Sequence, residues 1–323
     1  MKVAEDVYQL KIPMRFNPLG YTFSYYLPAS GTLIDTGVAG HDSFQALEKQ
    51  LLESGAKITD VKNIIPTHFH GDHIGLLKQI RVRSESKVIA HTSAIEKQKE
   101  EQSLWKDLPR LTVEEIEAMG GGDITQLFSR LEYAGRTPTE TIKVDEMVED
   151  GKLLRLDGRS LRIYWTPGHA REHICLYDAD HRILFSGDHV LPKITSHIAM
   201  HIWDEHDPLN DYLESLKKIR DLPVDIILPG HERIFTNLVE RVEQLRSHHK
   251  NRCEEVKGAA RDSWKTIYQV SSRIHWDSRP WPQMDFWTKR MAATEAYAHL
   301  VYLRNKGEIS EEKRGKILYY HMV

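Results

Sequence analysis

The sequence predicts a mixed α/β fold, α+β in character, with a helical insertion and a small, mostly helical C-terminal domain. Three observations predict it. Short β-rich runs alternate with helical spacing as far as residue 92, several later strand-like runs end on a His or Asp in a Gly-containing loop, and the β signal stops near residue 235. At 323 residues the chain exceeds the roughly 100–200 residues of one core, which suits one large domain plus a small one. The expected division is 1–235 and 236–323, with the insertion at about 93–148.

The first 37 residues read as strands at one edge of a sheet: Val7 to Ile12, Thr22 to Leu27, and Thr32 to Ile34 ending at Asp35-Thr36-Gly37. From His41 to Ser54, Phe44, Leu47, Leu51 and Leu52 recur three and four apart, with Asp42 or Ser43 as N-cap and Gly55 as terminator, which predicts an amphipathic helix. Val61 to Ile65 is a short buried strand that stops at Pro66 and delivers Thr67-His68-Phe69-His70-Gly71-Asp72-His73. A helix from His73 to about Arg81 and a strand at Lys87 to Ala90 follow.

The alternation lapses from Ser93 to about Val148. This stretch holds Leu104, Trp105, Leu108, Leu111, Ile116 and Met119, the triple glycine Gly120 to Gly122, then Ile124, Leu127, Phe128 and Leu131 at helical spacing, so it reads as at least two helices with a break. Strands resume at Lys152 to Leu156 and Ser160 to Trp165, joined by Asp157-Gly158, and recur at Ile174 to Tyr177, Ile183 to Phe185 and Asp225 to Leu228. Helical patterns then cover Val239 to Val256, Asp262 to Ser272 and Thr288 to Arg304, and Glu308 to Tyr320 reads as a hairpin or a helix and wing.

Hydrophobic residues make up 40% and charged residues 28%, which excludes disordered and fibrous classes. No apolar stretch nears the roughly 18 residues of a membrane span and no signal-like h-region opens the chain, so a cytoplasmic protein that binds no membrane is expected. Two cysteines, Cys175 in an apolar run and Cys253, make no disulfide framework. The net charge of −3 hides an asymmetry: residues 239–323 hold 16 Lys+Arg against 11 Asp+Glu, and the remainder is acidic. A solvated helical tail accounts for that surplus more readily than an anionic partner does.

The chemistry is concentrated in the run after Pro66. In extended backbone His68 and His70 point the same way and can hold one metal ion, while Asp72 and His73 turn toward a second. Thr166-Pro167-Gly168-His169, Ser186-Gly187-Asp188 and Leu228-Pro229-Gly230-His231 each put a further ligand-type residue in a tight loop after a strand, with glycines that let the backbone approach. Eighteen histidines create His-x-His pairs by accident, but four ligand-type residues within His68–His73 and three more at strand ends do not arise that way. The donor set suits two divalent ions, Zn²⁺ first, with Mn²⁺ or Fe²⁺ compatible.

His68, His70, Asp72 and His73 match the His-x-His-x-Asp-His signature, and the chain resembles the metallo-β-lactamase-fold hydrolases over roughly residues 7–235. The resemblance implies an αββα sandwich with the ligands on loops at one edge of its two sheets. It further implies that His68, His70 and His169 bind one metal, Asp72, His73 and His231 the other, and that Asp188 bridges both. Within that superfamily an aspartate at the place of Asp188 separates glyoxalase II-like, lactonase-like and nuclease-like members from true β-lactamases, and a histidine at His70 argues against flavodiiron proteins. The tail, with Ser247-His248-His249-Lys250-Asn251-Arg252, Ala296 to Leu303 and Gly307-Glu308-Ile309, resembles the winged-helix tail of the β-lactamase-like protein 2 subfamily, some of which cleave single-stranded RNA.

Two such ions lower the pKa of a shared water from 15.7 to roughly 7. The expected reaction is therefore hydrolysis by a metal-bridging hydroxide, with Asp72 orienting the water and passing a proton to the leaving group. A small thioester, ester or lactone is the expected substrate, because the insertion could wall an apolar pocket with Phe16, Tyr21 and Phe23. Metal-dependent cleavage of single-stranded RNA is the alternative, with nucleic acid not the favoured partner, and a mono-iron dioxygenase or a winged-helix binding module comes last. His189, His197, His201 and His206 are outer candidates at such a site, and Trp276, Trp281, Phe286 and Trp287 read as packing before base stacking. Oligomeric state is left open.

Overall fold

The structure, a computed structural model, describes residues 1–15, 17–122 and 141–323. Phe16 and the helical pattern at Ile124, Leu127, Phe128 and Leu131 lie outside the described residues. The described residues group into two compact units. One comprises 1–99, 141–196 and 215–242, and the other the described part of 100–140 with 197–214 and 243–323.

The first unit is built on two sheets. Strands β1 (Lys2–Ala4), β2 (Val7–Pro13), β3 (Tyr21–Leu27), β4 (Thr32–Ile34), β5 (Asn63–Ile65), β6 (Lys87–His91) and β7 (Glu146–Val148) pair in chain order, antiparallel up to β4 and parallel beyond it. Strands β8 (Leu153–Leu156), β9 (Arg159–Trp165), β10 (Ile174–Asp178), β11 (Ile183–Gly187) and β12 (Ile226–Pro229) form the second sheet in the order β12, β11, β10, β9, β8, with only β11 and β12 parallel.

Side-chain alternation explains the packing. On β3, Phe23, Tyr25 and Leu27 point into a core shared with Ile163, Leu176 and Phe185 of the second sheet, while Tyr26 points the other way. That outer face is covered by α1 (His41–Glu53) and by α3 (Leu77–Ser84), through Phe44, Leu47, Leu51, Leu77 and Ile80. On the far side of the second sheet the Tyr177 hydroxyl donates to the Pro223 carbonyl (2.9 Å), and Ser215 and Lys218 donate to the carbonyls of Pro167 and Trp165 (2.9 and 2.7 Å). The layering is helix, sheet, sheet, helix.

Several boundaries differ from expectation, each for a local reason. The strand before Pro66 begins at Asn63, because Asp60 caps a 3-10 turn at Ile58–Asp60 by accepting from the Lys57 N–H (2.7 Å). The helix expected from His73 is split into α2 (Gly71–Ile74) and α3: the His73 carbonyl accepts from the Thr36 N–H (2.7 Å) and hydroxyl (2.9 Å) instead of continuing the helix. The insertion begins with α4 (Ser93–Leu104) and α5 (Leu108–Ala118), and β7 near its end completes the first sheet, which the sequence reading missed. It also missed α6 (Pro208–Ile219), although Leu209, Tyr212 and Leu216 are helically spaced and the Asp207 carboxylate caps the Asn210 N–H (3.0 Å).

In the second unit, α5 and parts of α4, α6 and α7 (Leu238–Ala259) join α8 (Ile267–Ser271), α9 (Phe286–Asn305) and a three-stranded sheet. That sheet is β13 (Lys265–Thr266), β14 (Ile309–Arg314) and β15 (Ile317–Met322), with β15 central. The helix expected over Asp262 to Ser272 is shorter, because Lys265 and Thr266 pair with Tyr320 and Tyr319 and Thr266 then caps α8 reciprocally with Gln269. Glu115 is fully buried, with its carboxylate 2.5 Å from the Arg290 guanidinium and 2.7 Å from His201 Nδ1.

Candidate metal centre

Each ligand-type residue leaves the C-terminal end of a strand in the first unit. β5 runs through Pro66 into His68 and His70, and His70 keeps an extended backbone (φ −70°, ψ 149°) before α2 turns Asp72 and His73 inward. His169 follows β9, Asp188 follows β11 and His231 follows β12. The loops are pinned by backbone: Gly230 donates to the Gly187 carbonyl (2.8 Å) and accepts from the Phe23 N–H (2.7 Å), and Thr67 accepts at its carbonyl from the Ile174 N–H (2.8 Å).

These residues converge into three overlapping groups able to hold a cation: His68, His70 and His169; His68, His73 and Asp188; Asp72, His73 and His231. The first and third have the membership that the resemblance implies, and Asp188 belongs to the group between them. Its Oδ1 lies 3.5 Å from His73 Nε2, and its Oδ2 lies 3.3 Å from His231 Nε2 and 3.7 Å from His169 Nε2. His68 Nε2 is 3.0 Å from His70 Nδ1, and Asp72 Oδ2 is 3.3 Å from His231 Nε2. Tetrahedral bonds of about 2.05 Å separate ligand atoms by roughly 3.3 Å, so these spacings fit a small divalent ion.

Two further observations support that fit. His73 Nε2 and Asp188 Oδ1 are buried and have no hydrogen-bond partner among the described residues, an arrangement that costs free energy unless a cation completes it. In His68, His73 and His231 the outer nitrogen is committed: Nδ1 donates to the Thr67 hydroxyl (3.1 Å), the Asp35 carboxylate (2.8 Å) and the Tyr21 carbonyl (3.1 Å), respectively, so every Nε2 faces inward.

The sequence reading missed this supporting set. Asp35, visible there only as the residue ending a strand, accepts from the Thr67 N–H (2.7 Å), the Thr67 hydroxyl (2.9 Å) and His73. It does so at a positive φ of 57°, which Asp tolerates better than most residues. Glu172 accepts from the Phe69 N–H (3.0 Å) between the first two histidines, and His173 accepts from the Asp188 N–H (3.1 Å). Neither carried a motif signal. The glycines act as expected at two positions: a Cβ on Gly187 would stand 2.6 Å from His173 Nε2, and one on Gly230 would stand 2.5 Å from Asp188 Oδ1.

The electrostatics follow from packing carboxylates among buried imidazoles. Burial pushes His68 well below the ordinary imidazole range, and His73 and His70 add to that. Burial also opposes charge on His73 and His231, but the neighbouring carboxylates outweigh it, raising His73 well above its usual value and His231 to about 9. Conversely, burial would raise Asp72, yet His231 and His73 hold it at about 2, and Asp188 is likewise kept ionised.

The remaining candidates lie elsewhere. His189 is fully buried beside the His173 ring (5.9 Å between centroids). His197, His201 and His206 belong to the second unit, where His197 is 3.1 Å from the Met291 carbonyl and His201 stacks on Trp203. Tyr21 donates its hydroxyl to the Glu232 carbonyl (2.8 Å) and Phe23 lies in the core. In the tail, Trp276 is covered by the Arg252 guanidinium (4.6 Å), Trp281 meets Tyr268 edge-on, and Trp287 is exposed beside Phe286.

The profile described as the metallo-beta-lactamase superfamily matches residues 18–231. The chain is 25% identical over 322 residues to the "Probable metallo-hydrolase YqjP" of Bacillus subtilis, covering 98% of each chain. It is 28% identical over 260 residues to the "Beta-lactamase-like protein 2 homolog" of Caenorhabditis elegans, covering 79% of this chain and 71% of that one. It is 31% identical over 133 residues to the "Acyl-coenzyme A thioesterase MBLAC2" of Gallus gallus, covering 39% and 46%. Among solved structures, a metallo-beta-lactamase family protein from Thermus thermophilus superposes with a TM-score of 0.79 at 27% identity, covering 99% of each chain.

Proposed function

The chain belongs to the metallo-beta-lactamase superfamily and is one of its hydrolases, and within it we propose a binuclear enzyme that hydrolyses a small thioester, ester or lactone. The observation that carries the binuclear reading is the Asp188 carboxylate, which presents one oxygen to His73 and the other to His231 and His169. His68, His70 and His169 would hold one ion, Asp72, His73 and His231 the other, and Asp188 both; zinc is the ion this donor set suits first. When bound, such ions supply Lewis acidity and a water acidified to near neutral pH.

The chain's own residues supply the rest. Asp35, Thr67 and the Tyr21 carbonyl hold the imidazole tautomers that aim Nε2 inward. Asp72 is ionised and a quarter exposed, so one carboxylate reaches both His231 and an incoming substrate, and we assign it the orienting and proton-passing role. The acyl substrate class is supported by the thioesterase among the relatives. The same reading takes residues 1–235 as the catalytic domain, 236–323 as a winged-helix-like segment ending in the β14–β15 hairpin, and a small molecule as partner in the cytoplasm. No helix among the described residues is long and apolar enough to cross a membrane.

The deciding experiment offers the zinc-, manganese- and iron-loaded protein acyl thioesters, lactones and labelled single-stranded RNA. Chelator-sensitive turnover of a thioester or lactone is the expected result. Cleavage of the RNA alone, or one iron per chain with oxygen consumption, would replace the proposal.

A further inference from the structure

Three consecutive residues, Glu172, His173 and Ile174, tie the connection that carries His169 to two other ligand-bearing loops. The Glu172 carboxylate, itself buried, accepts from the Phe69 N–H (3.0 Å) between His68 and His70. The Ile174 N–H donates to the Thr67 carbonyl (2.8 Å), fixing the residue before His68. His173 then reaches both remaining directions. Its Nδ1 donates to the Thr166 hydroxyl (2.8 Å) and its backbone exchanges bonds with Ala170 and Thr166, on either side of His169. Its Nε2 accepts from the Asp188 N–H (3.1 Å). The ring is fully buried, 5.1 Å from the His68 ring, and presses so closely on Gly187 that a Cβ there would stand 2.6 Å from Nε2.

We infer that Glu172 and His173 are positioning residues that register the three loops, with His173 setting where the Asp188 carboxylate stands between the two groups of histidines. Both lie outside the ligand set, so the inference rests on the binuclear reading while adding residues to it. A core-filling ring would not use both nitrogens, each on a different loop. The tautomer is dictated, since an amide N–H can only donate, so Nε2 carries the lone pair and Nδ1 the proton.

The chemistry separates two conservative variants. His173→Gln keeps an acceptor at the reach of Nε2, whereas His173→Asn keeps a donor at the place of Nδ1 and loses the bond to Asp188. The whole chain is titrated with zinc against a competing chelator, and amide hydrogen exchange at Asp188 is followed in the metal-free protein. For His173→Asn, affinity for the weaker-bound zinc falls about 10- to 100-fold, as supporting bonds around metal ligands typically give, and the Asp188 amide exchanges at least about tenfold faster. His173→Gln stays within about threefold of the parent on both measures. Equal zinc affinity and equal Asp188 exchange in both variants would overturn the inference. So would equal losses in both variants that track a common drop in Tm, the mark of a ring that only fills space. If the parent chain takes up no zinc, the binuclear reading fails, and the exchange rates alone still decide whether the clamp exists.

Discussion

Gly230→Ala tests whether the centre depends on close approach of backbone. Gly230 lies outside the left-handed region, so alanine fits its backbone conformation and the effect is steric. The added Cβ would stand 2.5 Å from Asp188 Oδ1 and 2.7 Å from His73 Cε1. Restoring an ordinary contact of about 3.4 Å requires the carboxylate to retreat by about 0.9 Å. The loop cannot retreat instead, because Gly230 is bonded to Gly187 on one side and to Phe23 and Thr22 on the other. Functional constellations tolerate about 0.5 Å, and a misplacement near 1 Å costs on the order of 100-fold. The variant is therefore expected to lose about 100-fold in kcat/KM on whichever acyl substrate the parent turns over, and at least about tenfold in zinc affinity by chelator competition. Its metal-free circular dichroism should match the parent's. Zinc affinity and turnover both within threefold of the parent would refute the geometry.

Asp35→Asn presents an amide N–H₂ toward His73 Nδ1–H or gives up a bond to Thr67, and zinc affinity should fall about 10- to 100-fold; unchanged affinity would dismiss Asp35 as an orienting group. Dialysis against a chelator should abolish hydrolysis, and zinc at about 100 times its Kd should restore it while adding about 2.7 kcal/mol to unfolding free energy, read by denaturant titration. His299 is fully buried and burial holds it at about 3, below its unfolded value near 6.5. The unfolded chain thus takes up the proton first, so its contribution is intact above pH 6.5 and is lost toward pH 3, by up to about 1.4 kcal/mol per pH unit. A His299→Leu variant whose stability falls as steeply with pH as the parent's would contradict this. Leu176→Ala, in the core between the sheets, should cost about 2–5 kcal/mol in chemical denaturation, and a loss under 1 kcal/mol would show that the sheets do not close on it.

The readable part of this protein is what local periodicity and residue type encode. Alternation on β3 and the three- and four-residue spacing of α1 are properties of single segments, and the ligand-type residues stood out because four cluster within His68–His73 after a strand and three more each follow a glycine in a loop after an apolar run. Where segments depend on partners, the same signals fell short. β7 is three residues long and exists as a strand because β6 offers it a parallel edge, and Lys265–Thr266 is a strand because β15 is there to pair with it. α6 is a different failure, since its periodicity and its Asp207 cap were present in the sequence and went unread.

The supporting residues mark a deeper limit. A ligand is recognisable in sequence because metals accept few side chains, but a group that orients a ligand can be any donor or acceptor in reach, including the carbonyl of Tyr21. Asp35 lies 38 residues from His73 in sequence and bonds it at 2.8 Å. Their meeting requires β4 and β5 to pair in parallel so that both strand ends open on the same side. The same logic turns a glycine into a functional residue: its place before His231 marks Gly230 as a point of close backbone approach, but only the fold shows that the space its missing Cβ leaves is occupied by the Asp188 carboxylate and the His73 ring. Specificity of geometry at this site therefore resides largely in residues outside the ligand set. Substitutions at Asp35, His173 and Gly230 should separate loss of metal from loss of fold more cleanly than replacing any ligand, whose removal would strand buried charges on the others.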